Sequence, residues 1–355
     1  MNIEKYAKIC LACDNLCQFV CPVFNSEKNQ IYAPGEKLSH FLYAVQKDDW
    51  NFISELSCAC IDCKSCRKFC NHKINVGFIL HFVRNTLITK DFLPEKLKDF
   101  EANYYKNNDS LYKNFDSLKI IEDFNLNCYK KDNLNTVFIP DVELLKYFPE
   151  NIVKLFDKFE NISLYTEKIS NFCEFYDSGY IDEFITDLKQ FIKTLRKYDL
   201  IVVESVNLYF VLKYLTKKFR LNFKKRVISI IEYCREFIDD FKKENKKAIY
   251  LNNPKLKYYI KRDEKTKILL NYIFNNLFDE NIDLNNFYVT GSESLLQITH
   301  NNISENMFNK IKNIIEKNNI EIIIVNDSLT KQYLKEKLKN TEILSFIDVI
   351  LKYYQ

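Results

Sequence analysis

The sequence predicts an α+β protein in which a helical N-terminal domain with two cysteine clusters precedes two duplicated α/β lobes with parallel sheets. Nine of the 12 cysteines in the 355-residue chain lie before residue 71. From about residue 134 onward, short apolar runs alternate with helical segments, which is typical of parallel sheets flanked by helices. The order of these runs recurs once, and we interpret the recurrence as an internal duplication.

Helices are predicted on both sides of the second cysteine cluster. The apolar residues of 38–45 fall at i, i+3, i+4 and i+7, which places them on one helical face. Those of 50–56 repeat this spacing, and Asp48 or Asp49 can cap the start of that helix. The apolar residues of 78–87 lie on one side of a further helix. The N-terminal domain is therefore expected to hold two short cysteine loops packed among helices.

The later part of the chain is predicted to contain two related sets of strands. The strand-like runs are Thr136–Pro140, Ile162–Tyr165, Leu200–Val203, Ala248–Leu251, Asn286–Val289 and Ile322–Val325. The run from Leu200 corresponds to that from Ile322, and the run from Val227 to that from Glu342. The chain is divided accordingly into a cysteine-rich domain (1–90), a linker or set of wrapping helices (91–133), a first repeat (134–240) and a second repeat (241–355).

Composition excludes several functional classes. The four glycines are isolated, so the chain has neither a G-x-G-x-x-G turn nor a G-x-x-x-x-G-K-[ST] loop for a nucleotide. The net charge is only +4 with both signs interspersed, unlike the basic stripe of a nucleic-acid-binding protein. No apolar run approaches the roughly 20 residues that span a bilayer. We expect a cytoplasmic protein, where clustered cysteines are more often metal ligands than disulfides.

The second cysteine motif has the spacing of an iron–sulfur site. Cys60, Cys63, Cys66 and Cys70 are separated by two, two and three residues, which is the spacing that binds a [4Fe–4S] cluster. In proteins with two such motifs, the fourth cysteine of each motif ligates the other cluster. The neighbouring motif, CLACDNLCQFVCP, differs because three residues separate Cys13 from Cys17.

Exchange of the fourth cysteine divides the eight cysteines into two predicted ligand sets. We call them the first set (Cys10, Cys13, Cys17 and Cys70) and the second set (Cys60, Cys63, Cys66 and Cys21). Each is expected to bind one [4Fe–4S] cluster. Two zinc sites with four cysteines each are the main alternative, although zinc motifs usually consist of two separated C-x2-C pairs. Buried thiols without metal are a further alternative.

The remaining candidate residues receive weaker predictions. Cys58 is expected to be a neighbour of a cluster or a packed thiol, and the other cysteines are expected in the core: Cys128, Cys173 and Cys234. His72 either donates to a cluster sulfur or is a solvated loop residue. The other histidines form no pair that indicates a metal site: His40, His81 and His300. Basic residues flank the second motif, where they raise a cluster potential, dock an acidic partner or simply form a solvated loop: Lys64, Arg67, Lys68 and Lys73.

These motifs resemble the iron–sulfur subunits of glycolate oxidase, anaerobic glycerol-3-phosphate dehydrogenase, lactate utilisation and heterodisulfide reductase. In that family a two-cluster ferredoxin-like domain precedes two cysteine-rich (CCG) α/β repeats. The stretch CIDCKSCRKFCNHKINVGFILHFVR carries the most specific similarity. Residues 33–36, Ala-Pro-Gly-Glu, are similar to an element that follows the first motif in the family, with the proline kept and the glycine shifted.

The repeats fit the family in architecture but lack its ligands. Where the family has Cys-Cys-Gly in the first repeat, this chain has Phe172-Cys173-Glu174. Residues 204–207 (Glu-Ser-Val-Asn) and 326–328 (Asn-Asp-Ser) follow the strands after which the family has Cys-x-x-Cys. The second repeat contains no cysteine. The resemblance therefore implies degenerate repeats with a structural or docking role and without the additional metal site of some relatives.

The resemblance implies an electron-transfer subunit without catalytic residues of its own. It would take electrons from a flavoprotein dehydrogenase acting on a 2-hydroxy acid or glycerol-3-phosphate, and pass them toward a quinone or another carrier. A membrane or quinone-reducing partner could attach such a subunit to the periphery of the cytoplasmic membrane. The alternative function is an interaction, scaffold or redox-sensing protein whose clusters are structural.

Overall fold

The computed structural model describes residues 3–107, 112, 115–278, 290–292 and 295–355. They fold as two compact units, each assembled from three chain segments. The first unit contains Met1–Ala102, Glu174–Phe184 and Asn281–Ile314. The second unit contains Asn103–Cys173, Ile185–Glu280 and Ile315–Gln355.

The N-terminal part of the first unit is helical. Its α-helices are α1 (Ile3–Leu11), α2 (Pro22–Glu27), α3 (Pro34–Lys47), α4 (Asn51–Cys58), α5 (Ser65–Phe69) and α6 (Val76–Thr89), and 3-10 helices lie at Leu16–Val20 and Gln30–Tyr32. Helix α3 begins at a proline, whose fixed φ suits the first helical position. Helix α6 begins after Asn75, whose side chain accepts a hydrogen bond from the Phe78 N–H. The helices predicted over 38–45, 50–56 and 78–87 are α3, α4 and α6.

The apolar faces of these helices meet in one core. Leu38, Leu80 and Val83 are fully buried within it, and Trp50 and Ile53 are nearly so. Cys10 and Cys66 belong to the same cluster of buried residues. The cysteine motifs therefore rest directly on the helical core of the first unit.

The segment 91–133 contains helices among its described residues. Helices α7 (Glu95–Lys106) and α8 (Ser117–Asp123) are followed by a 3-10 helix at Leu126–Tyr129. Leu126 is fully buried, whereas Cys128 is exposed. The prediction that Cys128 is a core residue is therefore wrong. In so short a turn the two positions face different sides, and Leu126 takes the inward one.

The first α/β repeat forms a four-stranded parallel sheet in the second unit. Its strands are β1 (Thr136–Ile139), β2 (Ser163–Leu164), β3 (Leu200–Val203) and β4 (Arg226–Ser229), in the order β2-β1-β3-β4. The α-helices of this stretch are α9 (Val142–Tyr147), α10 (Pro149–Phe156), α11 (Phe172–Asp177), α12 (Ile181–Thr194), α13 (Val206–Phe210), α14 (Thr216–Lys218) and α15 (Ile230–Cys234). A π-helix at Val211–Leu215 joins α13 to α14, and 3-10 helices lie at Leu195–Lys197 and Arg235–Asp240.

The second repeat forms a parallel sheet of the same order in the same unit. Its strands are β5 (Ala248–Leu251), β6 (Leu277–Phe278), β7 (Ile322–Val325) and β8 (Glu342–Ser345), in the order β6-β5-β7-β8. A π-helix at Lys255–Ile260 precedes the α-helices α16 (Asp263–Ile273), α17 (Leu296–Thr299), α18 (Asn301–Lys317), α19 (Ser328–Lys337) and α20 (Phe346–Tyr353). The prediction of two parallel sheets flanked by helices is confirmed.

The two repeats also share local detail. After β4, Ser229 caps α15 in a capping box with Glu232, and after β8, Ser345 caps α20 in a capping box with Asp348. The predicted strand Asn286–Val289 lies outside the described residues. Among the described residues, β5 pairs with β7 on one side and with the short strand Leu277–Phe278 on the other. Within the described residues, no helix combines the length and apolar character needed to cross a bilayer.

Candidate functional site

The two cysteine motifs have closely related backbone conformations. Asn15 has φ 53° and ψ 29° and precedes the 3-10 helix that contains Cys17. Lys64 has φ 64° and ψ 6° and precedes α5, which contains Cys66. Both helices end in extended backbone at the fourth cysteine, with φ −82° at Cys21 and −79° at Cys70.

This correspondence locates the additional residue of the first motif. In each motif the third cysteine is the second residue of the short helix, one position after the helix begins. In the first motif Asp14 stands between Cys13 and the left-handed Asn15, where the second motif has no residue. The longer gap therefore lengthens the loop before the left-handed residue and leaves the helix and its fourth cysteine in place.

The second set of cysteines lines one pocket. This pocket of about 350 Å³, including its part open to solvent, is bordered by all four of the thiols together with Lys37, Lys64 and the N-terminal residues of α6. Cys21 and Cys63 also pack with Ile61, Leu296 and Met307 in an apolar cluster. Apolar side chains therefore line the buried side of the pocket and give it a low dielectric constant.

The cysteines of the first set also lie near one another. Cys10 and Cys17 each lie within electrostatic range of Cys13 and Cys70. Cys10 is buried, whereas Cys13 is exposed to solvent. The backbone N–H of Ile74 donates to Cys70 Sγ over 3.5 Å, a contact of the kind that tunes a thiolate ligand. The first set thus has one side at the surface.

The grouped thiols disfavour one another's ionised forms. Burial, followed by the neighbouring thiols, raises the pKa of Cys10 and of Cys17 to about 12. Burial also raises the pKa values of Cys60, Cys63 and Cys66 above the ordinary thiol value. Ionising such a group requires a compensating positive charge, and a bound metal supplies one.

A mononuclear metal site is not preformed among the described residues. No group of three or more His, Cys, Asp or Glu side chains there is arranged to hold one metal ion. A single zinc ion draws its ligands to about 2.3 Å of one point. A [4Fe–4S] cube instead takes each thiolate on a different iron, so its four sulfurs lie further apart and surround a volume. Among the described residues, Cys21, Cys60, Cys63 and Cys66 border one pocket without forming such a mononuclear site.

Two buried cations hold the chain just before the second motif. Lys37, only 1% exposed, donates to the carbonyl of Ala59. Arg84, 2% exposed, donates to the carbonyl of Ser57 over 2.5 Å. These carbonyls belong to the C-terminal end of α4, where cations are favoured by the unpaired carbonyls and the helix dipole. The entry to the second motif is thus fixed from two sides.

The middle of the second motif is held by α6. Asp62 has φ 46° and accepts a hydrogen bond from His81 Nε2 over 3.0 Å. Gly77 approaches so closely that a Cβ there would lie 2.2 Å from Asp62 Oδ1 and 2.9 Å from its Cα. Gly35 approaches Asn15 of the first motif in the same way, with a Cβ only 1.7 Å from Asn15 Oδ1. Two of the four glycines therefore serve the cysteine loops.

Other residues singled out from the sequence lie in varied places. Cys58 is buried and contacts the Ser57 hydroxyl at 3.7 Å, in keeping with a packed thiol. His72 is exposed, whereas His300 is partly buried and its pKa is lowered to about 4, chiefly by burial. The basic side chains near the second motif differ in exposure: Lys64 and Arg67 are half-buried, and Lys68 and Lys73 are exposed.

The second unit contains the cysteine of helix α11, Cys173. Cys173 is 2% exposed, and its Sγ lies 2.9 Å from Lys255 Nζ. The same ammonium donates to Asn207 Oδ1 over 3.1 Å. Cys173 and Cys234 are both buried, so the core prediction is confirmed for these two thiols.

Buried carboxyl groups follow the central strands of both sheets. Asp141 follows β1, Glu204 follows β3 and Asp327 follows β7, and each is at most 9% exposed. Glu204 Oε1 accepts from the N–H and the hydroxyl of Ser328 over 3.1 and 2.9 Å. Sequence reasoning missed this group, and it also missed Lys37, Asp62, His81 and Arg84, because none stands in a recognisable spacing.

Comparison with known proteins identifies no family. No protein-family model matches the chain, and no curated protein matches it. A solved structure of an aspartate racemase homologue from Pyrococcus horikoshii is similar over 62% of this chain and 96% of its own length, with 15% identity and a TM-score of 0.27. A likeness this weak supports no conclusion about fold or function.

Proposed function

We propose that this protein is an iron–sulfur electron-transfer subunit that holds two [4Fe–4S] clusters. The first set of cysteines would bind one cluster and the second set the other. The observation that carries the proposal is that Cys21, Cys60, Cys63 and Cys66 border one pocket. Cys21 is separated from the other three by 38 or more residues of sequence, yet it borders the same pocket.

The grouping and burial of the thiols in both sets favour a bound metal cluster over free cysteines. Burial raises the pKa values of five of these thiols, which therefore need a cationic centre to become ligands: Cys10, Cys17, Cys60, Cys63 and Cys66. When bound, each cluster supplies reversible one-electron transfer. The two sets are neighbours, because Cys17 lies within electrostatic range of Cys21 and Cys66.

The proposed electron donor is a flavoprotein dehydrogenase of the 2-hydroxy acid or glycerol-3-phosphate type, and the proposed acceptor is a quinone or another carrier. The motif resemblance to iron–sulfur subunits of such dehydrogenases supports this choice. The absence of a glycine-rich nucleotide loop in the sequence agrees with substrate chemistry on a separate subunit. We therefore propose that the isolated chain does not turn over organic substrates.

Anaerobic purification or reconstitution, followed by iron and acid-labile sulfide analysis, tests the cofactor. We expect about eight irons and about eight sulfides per chain, and EPR signals of reduced [4Fe–4S] clusters. Zinc without acid-labile sulfide would contradict the proposal. Clusters that cannot be reduced and reoxidised would contradict electron transfer and favour a structural role.

Serine variants test the exchange of ligands between the motifs. Cys63→Ser and Cys21→Ser should each remove about half of the iron and the same EPR signal. Cys10→Ser and Cys70→Ser should remove the other signal. Cys128→Ser is the control, because this exposed thiol lies outside both sets. A Cys21→Ser variant that loses the signal assigned to Cys10 would show that each motif binds its own cluster.

A further inference from the structure

Three exposed apolar side chains are close in sequence to cysteines of the first set. Leu11 and Leu16 are each 63% exposed and Phe19 is 62% exposed. Each stands within two residues of a cysteine of this set. Exposing three large apolar side chains on one short stretch to water is unfavourable, and covering them with another surface would lower the free energy. We call these three residues the apolar patch.

The chain around the apolar patch is basic. Within three residues of the first set, the charged side chains are four basic and one acidic: Lys8, Arg67, Lys68, Lys73 and Asp14. Lys8, Lys68 and Lys73 are exposed, and Arg67 is half-buried with its Nε donating to the Lys73 carbonyl over 3.0 Å. We call these four basic residues the basic rim. Their charge, next to exposed apolar side chains, is complementary to an apolar surface surrounded by carboxylates and steers such a partner by long-range attraction.

The apolar patch is adjacent in sequence to the cysteine set that has an exposed thiol. Cys13 of the first set is exposed, whereas Cys21, Cys63 and Cys66 of the second set are buried. The first set is therefore the one that a second protein can approach closely. Transient complexes between redox proteins use small interfaces, below about 1,200 Å².

We propose that the apolar patch and its basic rim form the docking surface for an acidic flavoprotein, in a transient and salt-sensitive complex. This inference rests on the proposed function, because it assigns the partner's position relative to the first set. A lipid surface is a less suitable occupant. Membrane-binding segments combine an extended apolar face on one amphipathic helix with a cluster of about four to eight basic residues, whereas here Leu11 and Leu16 lie on different helices with the acidic Asp14 between them.

Binding to oxidised flavodoxin, an acidic flavoprotein used as the probe, tests the docking surface. Calorimetry or biolayer interferometry should show an affinity that falls at least tenfold between about 20 and 300 mM salt. The double variant Leu16→Glu/Phe19→Glu should weaken binding roughly tenfold or more, since it removes apolar contact and adds like charge to the partner's rim. Lys68→Glu should weaken binding and reduce its salt dependence.

Tyr43→Glu is the matched control, because Tyr43 is 51% exposed in the same unit but lies on α3. It should leave the affinity unchanged. Equal affinities of the wild type and the double variant, absent binding, or binding insensitive to salt would each overturn the docking proposal. So would a dimer, or retention on anionic vesicles, that the double variant abolishes, because the apolar patch would then serve self-association or a membrane.

The design separates this inference from the proposed function. Binding of oxidised flavodoxin needs no electron transfer, and iron and sulfide are measured on the same samples. Full iron content with no effect of the double variant overturns the docking surface alone. Chains without iron–sulfur clusters overturn the proposed function whatever their affinity for the probe.

Discussion

His81 Nε2 and Asp62 Oδ2 lie 3.0 Å apart in the interior of the first unit, where both side chains are almost completely buried. Arg84 Nη2 lies 2.7 Å from the other ring nitrogen of His81. Because a guanidinium has only donors, His81 Nδ1 must accept, and Nε2 therefore carries the hydrogen that is donated to Asp62. Arg84 thus fixes the tautomer with which His81 holds the middle of the second motif.

Asp62 should position the loop of the second motif by accepting the hydrogen bond from His81. It stands between Cys60 and Cys63 at φ 46°, a left-handed conformation that needs support. We expect Asp62→Ala to shorten the lifetime of the cluster on the second set in air roughly tenfold, as for other outer-shell changes at metal sites. Asp62→Asn keeps an oxygen that accepts from His81 and should restore most of the lifetime.

The lifetime of the cluster in air is measured from the decay of the EPR signal that Cys63→Ser removes. The signal assigned to the first set is the internal control. His40→Gln is the control for histidine, because His40 lies on α3 and stacks on Phe52. If Asp62→Asn behaves as Asp62→Ala does, the hydrogen bond from His81 has no positioning role.

Lys37 should raise the potential of a cluster on the second set. Its ammonium is buried, borders the same pocket as Cys60, and lowers the pKa of that thiol against the larger effect of burial. A buried positive charge stabilises the reduced and more negative cluster. Lys37→Gln keeps a donor for the Ala59 carbonyl and removes the charge, so the midpoint potential should fall by on the order of 50 mV.

Redox titration followed by EPR measures this shift. Lys8→Gln is the control, because Lys8 is exposed and lies near the first set. An unchanged potential of the second set in Lys37→Gln would show that solvent or counter-charges screen the ammonium.

Gly77→Ala and Gly35→Ala should differ in severity although both glycines face a cysteine loop. At Gly77 the new Cβ meets the Asp62 Cα at 2.9 Å, and backbone atoms cannot move aside easily. At Gly35 it meets only side-chain atoms of Asn15, which can rotate. Despite the helix propensity gained, Gly77→Ala should lower the free energy of unfolding by about 1–3 kcal/mol.

Denaturant unfolding of the anaerobic protein provides the measurement, and the iron content of each set shows which loop is disturbed. Gly35→Ala should stay within about 1 kcal/mol of the wild type. The steric argument fails if the two variants are equally stable.

The comparison of sequence and structure shows which features a local pattern encodes. The strands Ile322–Val325 and Leu200–Val203 are apolar runs with many β-branched residues, so composition alone predicted them. The partition of the cysteines follows from a spacing rule and stays a prediction until iron is measured. His81 could not be assigned, because its partner is 19 residues away and pairs with it only through the packing of α6 on the loop.

The buried carboxyl groups of the second unit should make its stability depend on pH. Burial, together with the nearby charge of Asp327, raises the pKa of Asp141 from 3.8 to about 6. Burial and its acidic neighbours raise the pKa of Glu204 well above its ordinary value, and burial raises that of Asp327. A raised pKa means that the folded state binds protons more tightly than the unfolded chain. The stabilisation that protonated Asp141 gives to the folded state is therefore complete at pH values below about 4 and is lost as the pH rises through about 6.

Asp141→Asn should remove the contribution of Asp141 to the pH dependence of stability. An amide cannot ionise. Between about pH 4 and pH 7, the melting temperature of the variant should therefore fall by roughly 5 °C less than that of the wild type. Differential scanning calorimetry at several pH values measures the slope, with the cysteine sites kept in one metal state throughout. Asp123→Asn is the control, since Asp123 is exposed at the end of α8. A slope shared by the wild type and Asp141→Asn would show that Asp141 does not exchange its proton in this range, and that the pH dependence arises from Glu204 or Asp327.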